Sequence, residues 1–102
     1  MKFKDKVVLV TGASRGFGRE ISRQFAAAGA KVNVHYNSNA LAAQEAVELL
    51  TGNDHIKIAA NIADTDQATD MVNNVVSHMK RIDILVNNAG VCEDHPVAES
   101  TF

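Results

Sequence analysis

The stretch Val7-Val8-Leu9-Val10-Thr11-Gly12-Ala13-Ser14-Arg15-Gly16-Phe17-Gly18 decides the fold. Four consecutive apolar, mostly β-branched residues read as a strand buried on both faces. The glycines after them let the backbone turn tightly and approach a phosphate with no Cβ in the way. Helical spacing then begins, so a helix N-terminus, with its free N–H groups and partial positive charge, faces that turn. Strand, glycine turn and helix in this order predict a site for the phosphates of a nucleotide.

Outward from this stretch, short β-rich runs alternate with longer helical patterns. Val7–Val10, Val32–Tyr36, Ile56–Ala60 and Ile82–Val86 read as strands, each bounded by polar or glycine residues. Phe17, Ile21, Phe25 and Ala28 share one helical face, and Gly29 falls where a helix end favours a left-handed residue. Ala43, Ala46, Val47 and Leu50 form a second stripe with Gly52 as its stop. Ala68, Met71, Val72, Val75 and Met79 form a third, and Asp64 with Gln67 reads as a capping box with Asp in the Ser/Thr role.

The order β-α-β-α-β-α-β predicts a parallel sheet joined by right-handed crossovers, with helices on both faces. The expected architecture is a three-layer, doubly wound α/β fold of the Rossmann type with strand order 3-2-1-4. Its nucleotide crevice lies at the carboxyl ends of strands 1 and 4, where the winding reverses. Residues 1–102 contain no internal repeat, linker or low-complexity tract, and read as the N-terminal part of one dinucleotide-binding domain.

Composition narrows the function classes. The 102 residues are 46% hydrophobic with a net charge of −2, enough apolar content for one modest core and no basic excess to attract nucleic acid. Charges interrupt every apolar run, so no membrane role is expected. The basic start, Met1-Lys2-Phe3-Lys4-Asp5-Lys6, is followed by too short an apolar run for a signal peptide. A single cysteine, Cys92, forms no internal disulfide and agrees with a reducing compartment. A cytoplasmic location is expected, or an organellar one with the targeting peptide lying outside this sequence.

Thr11-Gly12-Ala13-Ser14-Arg15-Gly16-Phe17-Gly18 resembles the TGxxxGxG cofactor motif of the short-chain dehydrogenase/reductase family, and Asn87-Asn88-Ala89-Gly90 resembles that family's NNAG motif. Both follow expected strands and are separated by two further βα units. The resemblance covers the whole chain and is closest to the branch that includes 3-oxoacyl-acyl-carrier-protein reductases. It implies that Gly12, Gly16 and Gly18 shape the pyrophosphate turn. Asn87, Ala89 and Gly90 are then expected along the adenosine-side ribose and the central crevice. Asn61-Ile62 stands where many members carry Asp-Val against the adenine, and an Asn still offers a purine edge both a donor and an acceptor. Asp64 is expected to be a helix cap rather than an adenine contact.

Charge argues the choice of cofactor. A fold selective for NAD(H) places an acid at the end of strand 2 to bind the ribose 2′-hydroxyl. This chain has His35-Tyr36-Asn37 there. Arg15, inside the turn, can instead grip a 2′-phosphate with a charge-assisted fork, and the resemblance agrees, since a basic residue at this place is typical of NADP-preferring members. NADP(H) is therefore expected over NAD(H), with Ser14 and Asn37 adding hydrogen bonds. Tyr36 and Phe17 complete the cofactor-binding candidates, although the helical spacing of Phe17, like that of Phe25, Met71 and Met79, suits a core position better.

Other chemistries fit less well. Cys92-Glu93-Asp94-His95 holds metal-ligand residue types, but they are adjacent and unsupported by a second pair, so no metal site is expected. His35, His55 and His78 are scattered, and His35 alone falls near the expected ribose. A P-loop lacks its lysine, grouped strand-end carboxylates for magnesium are missing, and no Gly-x-Ser-x-Gly turn occurs.

The resemblance implies hydride transfer between the nicotinamide and a small carbonyl or alcohol, with a Ser and a Tyr-x-x-x-Lys moving the proton. None of these can be placed here, because the only tyrosine is Tyr36 and the residue four positions on is Ala40. The chain is thus expected to supply the cofactor half of an NADP(H)-dependent oxidoreductase and to be inactive alone. The other reading is a short, non-catalytic nucleotide-binding or interaction protein. Ending at Phe102 is expected to leave Ile82, Ile84, Leu85 and Val86 on a bare sheet edge, favouring self-association such as a homo-oligomer.

Overall fold

The computed structural model describes residues 2–88. Its elements run β1 (Val7–Val10), α1 (Gly16–Ala27), β2 (Lys31–Tyr36), α2 (Ala40–Glu48), β3 (Ile56–Ala59), α3 (Thr65–Met79) and β4 (Ile84–Val86). The four strands form one parallel sheet in the order β3-β2-β1-β4, the doubly wound Rossmann arrangement expected from the alternation of segments. β1 is wholly buried, as its unbroken apolar run requires.

The sheet separates two cores. On one face Val8, Val10, Val32 and Val34 meet Ala26, Ala43, Ala46 and Leu50 from the side of α1 and α2. On the other, Val7 and Leu9 meet Met71 and Val75 of α3. Alternation along β1 therefore feeds both layers.

β4 begins two residues later than expected because a side chain does the work of the ladder at its start. Asp83 N–H donates to Val7 O at 2.8 Å, while the Asp83 carboxylate accepts from Val7 N at 2.8 Å. Arg81 donates to the same oxygen at 2.8 Å and to Asp5 O at 3.0 Å. The Arg81 hydrogen bond first, and the Val7 amide second, hold the Asp83 carboxyl below its ordinary value.

Helix ends follow the capping chemistry with two corrections. Asp64 Oδ1 accepts from Asp66 N and Gln67 N at 2.9 and 3.2 Å, so Asp64 is the cap of α3. Gln67 Oε1, however, accepts from Asn61 N at 2.8 Å, so the return arm of the box secures the β3–α3 loop. The second helix is shorter than expected: α2 stops at Glu48, leaving Leu50 buried just beyond it and Gly52 in the following loop. Gly29 lies just past the end of α1 at φ 99, as expected.

The sheet-facing side of α1 also differs. Gly18, Ser22 and Ala26 are its buried residues, whereas Phe17 is 78% exposed and Ile21 and Phe25 are half-buried. Ile21 and Phe25 still pack against the core, and Phe25 meets Phe3 edge-on, with ring centroids 5.2 Å apart. In α3, Met71 and Val75 are buried as expected, while Val72 lies exposed. Leu85 of β4 is 57% exposed, and β4 is an edge strand among the described residues.

Candidate cofactor-binding site

A cleft of about 370 Å³ opens at the carboxyl ends of the strands. Gly12, Ser14, His35, Tyr36, Asn37, Ala60, Asn61, Ile62, Ala63 and Asn88 line it. Six of these residues are among the candidates named from the sequence: Gly12, Ser14, Tyr36, Asn37, Asn61 and Ile62. Arg15, Gly16 and Phe17 are exposed in the adjoining turn, Gly18 is buried in the same turn, and Asn87 is exposed beside Asn88. Ala89 and Gly90 lie outside the described residues, as does the Cys92-Glu93-Asp94-His95 segment.

The glycine turn has its shape imposed from several sides. Gly12 and Gly16 both stand at φ 61, a left-handed conformation that a side chain would strain. Gly12 N donates to His35 Nδ1 at 2.9 Å, and Ala13 N donates to His35 O at 2.9 Å. Asn88 Nδ2 donates to Gly12 O at 3.1 Å, and Asn88 N to Thr11 Oγ1 at 2.8 Å. Arg19 Nε donates to Ser14 O at 2.8 Å while its Nη2 reaches Ala42 O of α2 at 3.0 Å. Gly18 closes the underside, because a Cβ there would press against Gly12 O and lie 2.8 Å from both Ala13 Cα and Asn88 Nδ2.

This turn leads into a helix start free to receive an anion. The N-cap Arg15 is extended, with φ −150 and ψ 171, and its side chain caps nothing. The N–H groups of Gly16, Phe17 and Gly18 have no acceptor among the described residues. Such amides, aligned with the positive end of the helix, suit a phosphate. A nicotinamide dinucleotide therefore fits the residues present.

Charge is distributed to match. Among the described residues, no carboxylate lines the cleft. Arg19 is held by Ser14 and Ala42 with Glu45 3.8 Å away, Arg23 pairs with Glu20, and Arg81 pairs with Asp83. Among the described residues, Arg15 is the one arginine with neither a side-chain hydrogen bond nor an ion pair. Asn61 is exposed, and its Oδ1 accepts from Ala63 N at 3.1 Å, which turns the loop.

Three side chains make cross-strand or cross-element contacts that the sequence pattern does not show, although His35 falls near the expected ribose. Asn88 belongs to the second motif, and its side chain links the β4 end to the glycine turn. Arg19 was one polar residue on an amphipathic helix. His35 is 2% exposed and reaches from β2 to both neighbouring strand ends, since its Nε2 lies 2.8 Å from Ala60 O. Burial pushes its pKa below the ordinary imidazole value, with the Ala60 carbonyl opposing in part. The available signal was a polar residue one step from the end of an apolar strand; its meaning required the strand order.

Comparison with known proteins gives concordant results. The family profile described as short chain dehydrogenase matches residues 6–102. The 3-oxoacyl-acyl-carrier-protein reductase FabG of Staphylococcus aureus is 45% identical over 92 residues, covering 88% of this chain and 37% of that protein. A solved short-chain dehydrogenase/reductase from Serratia marcescens superposes with a TM-score of 0.84 at 38% identity, over 89% of this chain and 38% of that one. A dehydrogenase from Burkholderia cenocepacia, solved with NADP bound, gives a TM-score of 0.79 at 30% identity, over 84% of this chain and 34% of its own. The chain thus spans a little over a third of the length of these relatives. No helix among the described residues is long and apolar enough to cross a membrane.

Proposed function

The chain belongs to the short-chain dehydrogenase family, an oxidoreductase family, and from that premise we propose that these residues form the NADP(H)-binding part of a carbonyl reductase or alcohol dehydrogenase. The observation that carries the proposal is Arg15, uncommitted among the described residues, beside a glycine turn whose cleft is lined by no described carboxylate. When bound, the nicotinamide supplies a hydride to a carbonyl carbon or takes one from an alcohol carbon.

The chain's residues divide the work of binding. Gly12, Gly16 and Gly18 give the pyrophosphate a close backbone, and the first amides of α1 face its charge. Arg15 grips the 2′-phosphate, helped by Ser14 and Asn37. Tyr36, Asn61 and Ile62 border the adenine, and Asn87, Ala89 and Gly90 serve the ribose and the inner crevice. The NADP bound by the Burkholderia relative supports this reading. We place the proton-transfer groups outside these 102 residues, and the cytoplasm as the site of action.

Calorimetric titration of the 102-residue chain with NADPH and with NADH tests this function. NADPH is expected to bind more tightly by about tenfold or more, the value of a charge-assisted contact. With a carbonyl substrate added, NADPH consumption is expected to stay at the rate of the uncatalysed control. Tighter binding of NADH would overturn the cofactor assignment, and turnover comparable to ordinary enzymes, about 10 s⁻¹, would overturn the assignment of the chemistry elsewhere.

A further inference from the structure

His35 is a buried imidazole wired to two separate strand ends, and only one protonation state fits both bonds. Its Nε2 faces the Ala60 carbonyl, so Nε2 carries the hydrogen and donates. Its Nδ1 faces the Gly12 N–H, so Nδ1 must keep its lone pair and accept. A second proton would set an N–H against an N–H at a 2.9 Å separation. One of the two groups would then have to move, and Gly12 is the residue whose left-handed φ opens the turn.

No neighbouring charge among the described residues rescues or mimics that proton. The glycine turn and the β3 end contribute Thr11, Gly12, Ala13, Ala60, Asn61 and Ile62, none of them ionisable, and among the described residues Tyr36 is the one other ionisable residue lining the cleft. Arg15, farther along the turn, is exposed. On α3, packed over the same face of the sheet, Asp66, Asp70 and His78 are exposed and the buried residues are Met71 and Val75.

We propose that His35 is a positioning residue for the dinucleotide site: as the neutral Nε2–H imidazole it ties the first amide of the glycine turn to the end of β3, and a proton on Nδ1 releases the turn and weakens binding. The coupling to binding rests on the function proposed above; the tie itself does not. The sign follows from burial. A histidine with a depressed folded pKa leaves the tie intact above its unfolded value of about 6.5, and the tie is lost as pH falls through the lower folded value.

The test is titration of NADP⁺, chosen for its stability in acid, into the wild-type chain and His35→Gln from about pH 8 down to about pH 4, well below the ordinary imidazole range. Glutamine keeps a donor and an acceptor and does not titrate. The 2′-phosphate gains its own proton in this range, with a pKa of about 6, but does so equally for both chains. Wild-type affinity is expected to fall about three- to tenfold further than that of the variant, the worth of one neutral hydrogen bond. Parallel pH profiles would overturn the coupling.

Amide exchange and imidazole ¹⁵N spectra of the ligand-free wild type test the tie independently. They are expected to show an Nε2–H tautomer and a Gly12 amide that loses protection as His35 titrates. An Nδ1–H tautomer, or Gly12 protection that ignores pH, would overturn it even if the variant fails to fold. No NADP⁺ binding by either chain at about pH 8 would overturn both the coupling and the nucleotide function while leaving the tie to this second measurement.

Discussion

Gly18→Ala is expected to lower the unfolding free energy by about 3 kcal/mol, the upper part of the range for overpacking, and to abolish dinucleotide binding. The new methyl would lie against the Gly12 carbonyl and 2.8 Å from Ala13 Cα, both backbone atoms that no rotamer change can remove. The same methyl would be 2.8 Å from Asn88 Nδ2, the donor that steadies Gly12. Relief requires α1 to back away from the turn, which misaligns the amides proposed to face the pyrophosphate. For a domain of this size the loss corresponds to roughly 12–24 °C in melting temperature, followed by circular dichroism. Gly16→Ala is the internal comparison. No atom lies within 4 Å of its added Cβ, so only the left-handed φ of 61 is strained, at about 1–2 kcal/mol. Equal or reversed costs for the two variants would contradict the packing explanation.

Arg15→Ala is expected to weaken NADPH binding by about 1.5–3 kcal/mol, or roughly 10- to 150-fold, and to leave NADH within about twofold. The reason is exclusion as much as proximity. Arg19, nearest in sequence, is spent on Ser14 O and Ala42 O, and it therefore serves as a brace between the turn and α2. Arg15 stands exposed at the helix start with its guanidinium unused among the described residues. Because the contact is exposed, the NADPH advantage should also shrink as salt rises from about 0.1 M towards 1 M. Calorimetry on the wild type and Arg15→Ala with both cofactors reads the difference directly. Equal losses for NADPH and NADH would remove the 2′-phosphate from Arg15.

The fold was legible where local chemistry and pattern agree. β1 could be bounded to the residue because its apolar run ends at a threonine and glycine turn, and Asp64 announced the start of α3 by its capping chemistry. The fully buried side of α1 departs from its expected stripe for a physical reason. A stripe of large residues, Phe17-Ile21-Phe25, draws the eye to the most hydrophobic face, but a helix lying close on a glycine turn needs small residues at the contact. Gly18, Ser22 and Ala26 meet that need, while Phe17 is left exposed.

The site was legible in part because its motif sits on a single strand-turn-helix. What lay beyond reach were the cross-strand supports. His35 and Asn88 act on Gly12 from 23 and 76 residues away, and nothing in a linear pattern says that their side chains converge on one turn. β4 is shorter than its apolar run suggests because the Asp83 side chain, rather than another ladder pair, secures its start against Val7.

The central claim, that the cleft beside the glycine turn is an NADP(H) site, is tested most directly by amide ¹H–¹⁵N spectra recorded as NADPH is added to the isotopically labelled chain. Saturable shifts are expected to concentrate at Gly12, Ser14, Arg15, Gly16, Tyr36, Asn37, Asn61, Ile62 and Asn88. Residues at the opposite end of the sheet, such as Asp5, Lys31 and Asp54, should stay in place. Saturable shifts centred on that opposite end, or none at concentrations of NADPH well above about 1 mM, would contradict it.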